Sequence, residues 1–142
     1  MVSLVTTAVC PPDRPLLGLV TAMAPAMAMG NRVVLLPSEA FPLAATDFYQ
    51  VLDTSDVPGG VVNILTGSHA ELAKPLASHL NVDAVWSFSS TDLSKEIEAV
   101  SAGNLKRTWV NNATAFDWGV DHSRRFLQAA TEVKNIWVPY GE

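Results

Sequence analysis

At 142 residues, 49% of them hydrophobic and only 16% charged, the chain is long enough for one domain with a real core; a chain of this size buries roughly two thirds of the surface its unfolded form exposes. The formal net charge of -5 excludes a generic nucleic-acid or anionic-membrane surface and leaves small molecules or another protein as partners. The single cysteine, Cys10, forms no internal disulfide and supplies no metal-ligand set, which leans towards a reducing, cytoplasmic setting.

The elements follow from apolar runs and their punctuation. Residues 2–9 are β-branched and stop at Cys10-Pro11-Pro12, as a buried strand entering a loop should. Residues 15–29 read as a helix rich in small residues, with Gly30-Asn31 at its C-terminal cap. This stretch is not a signal peptide, because no basic segment precedes it and Asp13-Arg14 interrupts the run. It is also too short for a membrane span, which needs about 18 apolar residues, and it holds Pro25 near its middle.

Residues 32–36 are strand-like and end at Pro37. A helix over about 43–52 leads to the turn Asp56-Val57-Pro58-Gly59-Gly60 and a strand over 61–65. A helix over about 69–79, a strand over 82–87 and a helix over 91–102 ended by Gly103 repeat the rhythm, and 105–110 reads as a further strand. Strands alternating with helices of this length imply right-handed crossovers, hence an α/β fold with a doubly wound, mainly parallel sheet and helices on both faces. After Asn111 the pattern weakens; residues 111–142 are read as a tail with a helix and a last strand at Ile136-Trp137-Val138. Residues 1–142 are thus one domain, with residues 1–110 as its α/β part.

Two long blocks carry a resemblance. Residues 24–34 (APAMAMGNRVV), followed by Pro37-Ser38-Glu39 and Pro42-Leu43, resemble the "APALAxGNxVVxKPSExxPL" block of aldehyde dehydrogenases. Residues 57–67 (VPGGVVNILTG) resemble the "PxGVxNxVxG" block of the same family, in the expected order and at the expected distance. The match extends less closely through residues 82–90 and covers roughly residues 2–110. It implies the Rossmann-like cofactor domain of that family, with NAD as the cofactor it allows. Ser38 and Glu39, at a strand end where α/β sheets bind ligands, Gly67, and Ser90 at a helix start are then the candidate cofactor-binding residues, in vestigial form. Asn31 corresponds to a structural amide that braces loops.

Departures from the family pattern matter as much as the matches. The lysine expected before Pro37 is Leu36. In the loop after the first strand, Asp13 stands where the family has an asparagine that helps stabilise an oxyanion; an ionised carboxylate there has the wrong sign. In the "FTGS" loop, Ser89 stands in the glycine's place, and Ser90-Thr91-Asp92 reads equally well as a helix cap. At the "ELGG" segment, which supplies the family's general base, Ser101-Ala102-Gly103-Asn104 aligns best, with no glutamate. The family's nucleophilic cysteine lies in a domain that the chain ends before reaching. Cys10 reads as a small core hydrophobe rather than a substitute.

Other chemistries are weaker. His69, His79 and His122 have no spacing of a metal site or a Ser-His-Asp arrangement, and two of the three are expected on helix surfaces. Thr66-Gly67-Ser68-His69 lacks a GxGxxG pattern. Asp53, Asp56 and Asp83 read as loop residues. Of the four tryptophans, Trp86, Trp109, Trp118 and Trp137, core packing accounts for most, with one or two exposed indoles suiting a protein contact.

The combination is similar to the second, incomplete dehydrogenase-like region of the two-region family-16 aldehyde dehydrogenases, in "PLLxxVSLxAPAxAxGNxVVxVPS", "VDAxWxFGS" and "SAGNLKxxW"; residues 136–141 (IWVPYG) resemble its C-terminal end. That implies a C-terminal region of a longer enzyme, with Met1 as an introduced start and no catalytic residue or metal of its own. Its expected role is packing, assembly or channel surface for a neighbouring dehydrogenase region or subunit, with self-association and without nucleic acid or membrane. The alternative is a retained NAD(P)-binding portion of a working oxidoreductase.

Overall fold

The computed structural model describes residues 4–111, 116–133 and 135–140. Five strands and five α-helices follow in chain order: β1 (Val5–Val9), α1 (Pro15–Ala28), β2 (Arg32–Leu36), α2 (Pro42–Asp53), β3 (Val62–Ile64), α3 (His69–Ser78), β4 (Ala84–Ser87), α4 (Thr91–Ser101), β5 (Arg107–Val110) and α5 (Ser123–Ala129). The strands form one parallel sheet in the order β3-β2-β1-β4-β5. The doubly wound expectation therefore holds, element by element, through β5. Residues 2 and 3 of the first expected strand lie outside the described residues.

Side-chain alternation along the strands divides the core. Ala8, Val33, Leu35 and Trp86 face α1, α2 and α5, meeting Leu19, Met23, Ala26, Ala45, Leu52 and Phe126. Val9, Leu36 and Val85 face α3 and α4, meeting Ala73, Ala77, Leu93 and Ile97. Because both faces are covered, the central strands read as continuous apolar runs rather than alternating ones. The small residues of α1 serve close packing. A Cβ placed on Gly18 would lie 2.4 Å from Pro11 Cδ, so the loop after β1 passes directly over the helix.

The chain leaves β1 towards β2 and β3, then returns across the sheet to β4 and β5. The loops after β1 and β4 therefore diverge, and this reversal opens a crevice at the carboxyl edge, where open α/β sheets bind ligands. The other edge is bound together by structural contacts. Asp83 Oδ2 accepts the Val5 N–H at 2.8 Å, tying the starts of β1 and β4; the sequence reading as a mere loop residue missed this. Among the described residues no helix is long and apolar enough to cross a membrane.

The tail folds back onto the α1 face. Phe126 is fully buried, Arg107 Nη1 donates to the carbonyls of Ala129 (3.1 Å) and Thr131 (2.5 Å), and Arg125 lies 4.7 Å over the Trp109 ring. Asn31 Nδ2 donates to Ala130 O at 2.7 Å, so its amide braces α5 against the start of β2, as its structural reading requires. The expected last strand is corrected. Residues 135–140 form no strand, and Ile136, Trp137 and Tyr140 are 83%, 93% and 100% exposed. A β-run becomes a strand only when another strand accepts its hydrogen bonds, and this segment meets none among the described residues.

Candidate functional site

The four candidate cofactor-binding residues all lie at the carboxyl edge. Ser38 and Glu39 follow β2, Gly67 follows β3 and Ser90 follows β4. Each has an internal partner or a structural reason for its identity. Ser38 is buried and its Oγ donates to Pro12 O at 2.9 Å, linking the loops after β1 and β2. The exposed Glu39 reaches from its own loop to α3, where its carboxylate accepts the backbone N–H of His69. Gly67 has φ 153°, and a Cβ there would stand 2.9 Å from Leu72 Cδ1, so backbone geometry already demands glycine. Ser90 is the N-cap of α4, its Oγ accepting from Leu93 N at 3.4 Å, which is the capping alternative read from Ser90-Thr91-Asp92. A cavity of about 480 Å³ lies outside Glu39 and Gly67, with Leu43 and Thr46 on its α2 side.

His69 is the residue that sequence reasoning missed. It is 5% exposed at the first position of α3, the one buried histidine of the three. Its Nε2 is 2.6 Å from Pro37 O and its Nδ1 is 3.4 Å from Ser89 Oγ. A carbonyl only accepts, so Nε2 carries the proton and donates; in the neutral ring Nδ1 is then the acceptor for the Ser89 hydroxyl. One imidazole thereby joins the loops after β2 and β4. Its partners stand 32 and 20 residues away, beyond any local pattern. The only sequence signal was a histidine immediately following the Thr66-Gly67-Ser68 loop.

The remaining positions are as follows. Asp13 is exposed in the loop after β1, 4.0 Å from its neighbour Arg14 Nε. Cys10 is fully buried at the end of β1, and burial pushes its thiol from 9.0 up to about 12. It is a protonated core residue, poorly suited to nucleophilic attack. The placement of the general-base segment is corrected. Ala102–Asn104 form a 3-10 turn that feeds the amino end of β5, on the edge opposite Asp13. In a parallel sheet the position that returns to the crevice is the one after β5, Asn111, whose N–H is bound to Ser87 O at 3.0 Å. A carboxylate is absent from both positions. His79 is exposed at the end of α3, and His122 stacks on Phe116 at 4.5 Å before α5.

A five-stranded parallel sheet with a crevice at its reversal point defines a doubly wound, nucleotide-domain type of α/β protein. Its relatives narrow that class. Residues 5–130 match the aldehyde dehydrogenase family, and the chain belongs to it. It is 35% identical over 107 residues to the NADP/NAD-dependent aldehyde dehydrogenase PuuC of Escherichia coli, covering 75% of this chain and 22% of the relative. It is 38% identical over 101 residues to human retinaldehyde dehydrogenase 3, covering 70% and 20%. In structure it is similar to the P. syringae indole-3-acetaldehyde dehydrogenase AldA, solved with NAD+ and IAA, with TM-score 0.72, 36% identity, and 75% and 22% coverage. The chain thus spans about a fifth of the length of these relatives.

Proposed function

We propose that this domain is a catalytically incomplete, aldehyde-dehydrogenase-like region with a structural role: it supports a neighbouring active dehydrogenase region or subunit of a longer, cytoplasmic NAD-dependent enzyme. The observation that carries this reading is the chemistry of the carboxyl edge. Acyl transfer through a cysteine needs an activated thiolate, a donor facing the developing oxyanion and a base for water. Here the nearest thiol is buried and protonated, the loop after β1 presents Asp13, and Asn111 follows β5. The similarity to the second region of family-16 enzymes supports the same placement in a longer chain.

Assembly is supported by the tail. Ile136, Trp137, Val138 and Tyr140 are exposed, β-prone and in no strand pairing among the described residues, a costly arrangement for an isolated surface. Two measurements on the purified chain test the proposal. Light scattering is expected to report self-association, and an absorbance assay with NAD+ and simple aldehydes is expected to show no NADH formation. Aldehyde oxidation, or saturable micromolar binding of NAD+ to the unaltered chain, overturns the proposal in favour of a retained cofactor-binding portion of a working active site.

A further inference from the structure

Beside the open cavity at Glu39 and Gly67, the loops of the crevice expected to accept a dinucleotide are tied to one another by their own side chains. His69 donates through Nε2 to Pro37 O and meets Ser89 through Nδ1, while its backbone N–H goes to Glu39. The segment 37–39 is therefore held at both ends by one residue of α3. The imidazole is almost fully buried, so it fills volume between these loops instead of lying across their mouth. Binding a pyrophosphate at this edge requires backbone N–H groups free to face the anion and a close approach of backbone to ligand. The first N–H of α3 is engaged by a carboxylate, Ser89 brings a hydroxyl where a glycine would leave room, and Ser90 Oγ already meets the Leu93 N–H.

We propose that His69 is the residue that excludes dinucleotides from this domain, acting as a built-in occupant that fills space between the three loops and links them to one another. This rests on the non-catalytic reading above, and it adds the particular contact that closes the site. The ligand class excluded is the nucleoside diphosphate and its dinucleotides, since the blocked groups are those that meet a pyrophosphate.

The test is calorimetric titration of the purified chain with NAD+ and with ADP-ribose, alongside His69→Ala, Ser89→Gly and the double variant. The unaltered chain is expected to show no saturable binding at millimolar ligand. The double variant is expected to bind at least tenfold more tightly, in the submillimolar range, with each single variant between. A folded double variant that binds no better than the unaltered chain overturns the inference while leaving the structural role intact. Micromolar binding by the unaltered chain overturns both.

A second measurement does not depend on variants folding. Long-range nitrogen–proton spectra of the unaltered chain are expected to show His69 fixed in the Nε2–H tautomer and unmoved by millimolar NAD+. Averaging of the two tautomers, or a shift on adding NAD+, overturns the latch.

Discussion

Truncating Phe126 to alanine tests whether the tail belongs to this domain's core. The ring is fully buried and lies 4.8 Å from Trp109, 5.7 Å from Trp86, 5.8 Å from Phe88 and 5.9 Å from Phe116, centroid to centroid. Removing a buried phenylalanine costs about 3–5 kcal/mol in transfer and cavity terms. Aromatic pairs add about 0.5–1.5 kcal/mol each beyond area, though not additively, so five ring neighbours, with Trp118 at 6.5 Å the fifth, place the loss near 4–5 kcal/mol, the upper end. A domain of this length is stable by about 7–20 kcal/mol, so the variant should stay folded with a clearly lower urea midpoint. Tryptophan fluorescence reports the transition, because Trp86 and Trp109 flank the cavity. Amide exchange should also accelerate in α5 before it does in β1 or β4. A loss below about 1 kcal/mol, with unchanged exchange in α5, would show that the tail is not docked and that the packing argument is wrong.

Other consequences follow from single contacts. Gly18→Ala drives a methyl group against Pro11 and should cost about 1–3 kcal/mol by urea titration; a neutral result would mean that the loop after β1 lifts freely. Asn31→Ala leaves the Ala130 carbonyl without its partner and should cost about 1–3 kcal/mol, whereas Asn63→Ala, on an exposed edge strand, should be nearly silent in the same assay. Leu105 is a non-glycine residue at φ 56° and is 95% exposed, so Leu105→Asn should raise stability by about 0.5–1 kcal/mol, and a fall in midpoint would refute the strain. The Cys10 thiol is raised from 9.0 to about 12, so between those values the unfolded chain loses a proton that the folded chain keeps. Stability should therefore fall as pH rises through that window, by about 1.4 kcal/mol per unit at most, and Cys10→Ala should flatten the slope.

The sheet was legible because its determinants are local. A fully covered parallel strand needs a run of apolar or β-branched residues, and residues 4–9, 33–36 and 84–86 supply one each, Thr6 and Thr7 being buried with the rest, with Pro11 and Pro37 stopping the first two. Edge strands are less well written: β3 pairs over only three residues, although Val61 and Leu65 extend the β-prone run. The segment 136–138 has the composition of a strand but no neighbouring strand among the described residues, and composition cannot supply one. The placement of Ala102 failed for a directional reason. Motif similarity fixed the residues, but the functional edge is fixed by strand polarity, and Ala102–Asn104 precede β5 instead of following it. The β-branched and aromatic residues 108–110, coming after that turn, were the available signal.

The candidate site was legible in position but not in its contacts. Strand ends located Ser38, Glu39, Gly67 and Ser90, since a reversal in strand order puts such residues at one crevice. Ser90 caps its own helix, but what Ser38 and Glu39 do there depends on partners 26 and 30 residues away, and Glu39 to His69 and His69 to Pro37 cross from one βα unit to the next. The physical separation of these roles explains how one domain keeps the fold with an altered site. Burial of Leu35, Leu36, Val85 and Trp86 between two helical layers stabilises the sheet whether or not the edge holds a ligand. The edge must only satisfy its own polar groups, because a buried donor or acceptor left unpaired costs about 1–3 kcal/mol. His69 does this for the Pro37 carbonyl and the Ser89 hydroxyl, and Glu39 does it for the start of α3. An edge whose loops are linked by internal hydrogen bonds is thus compatible with an intact core, and removing those links exchanges them for water or ligand without disturbing the two packed faces.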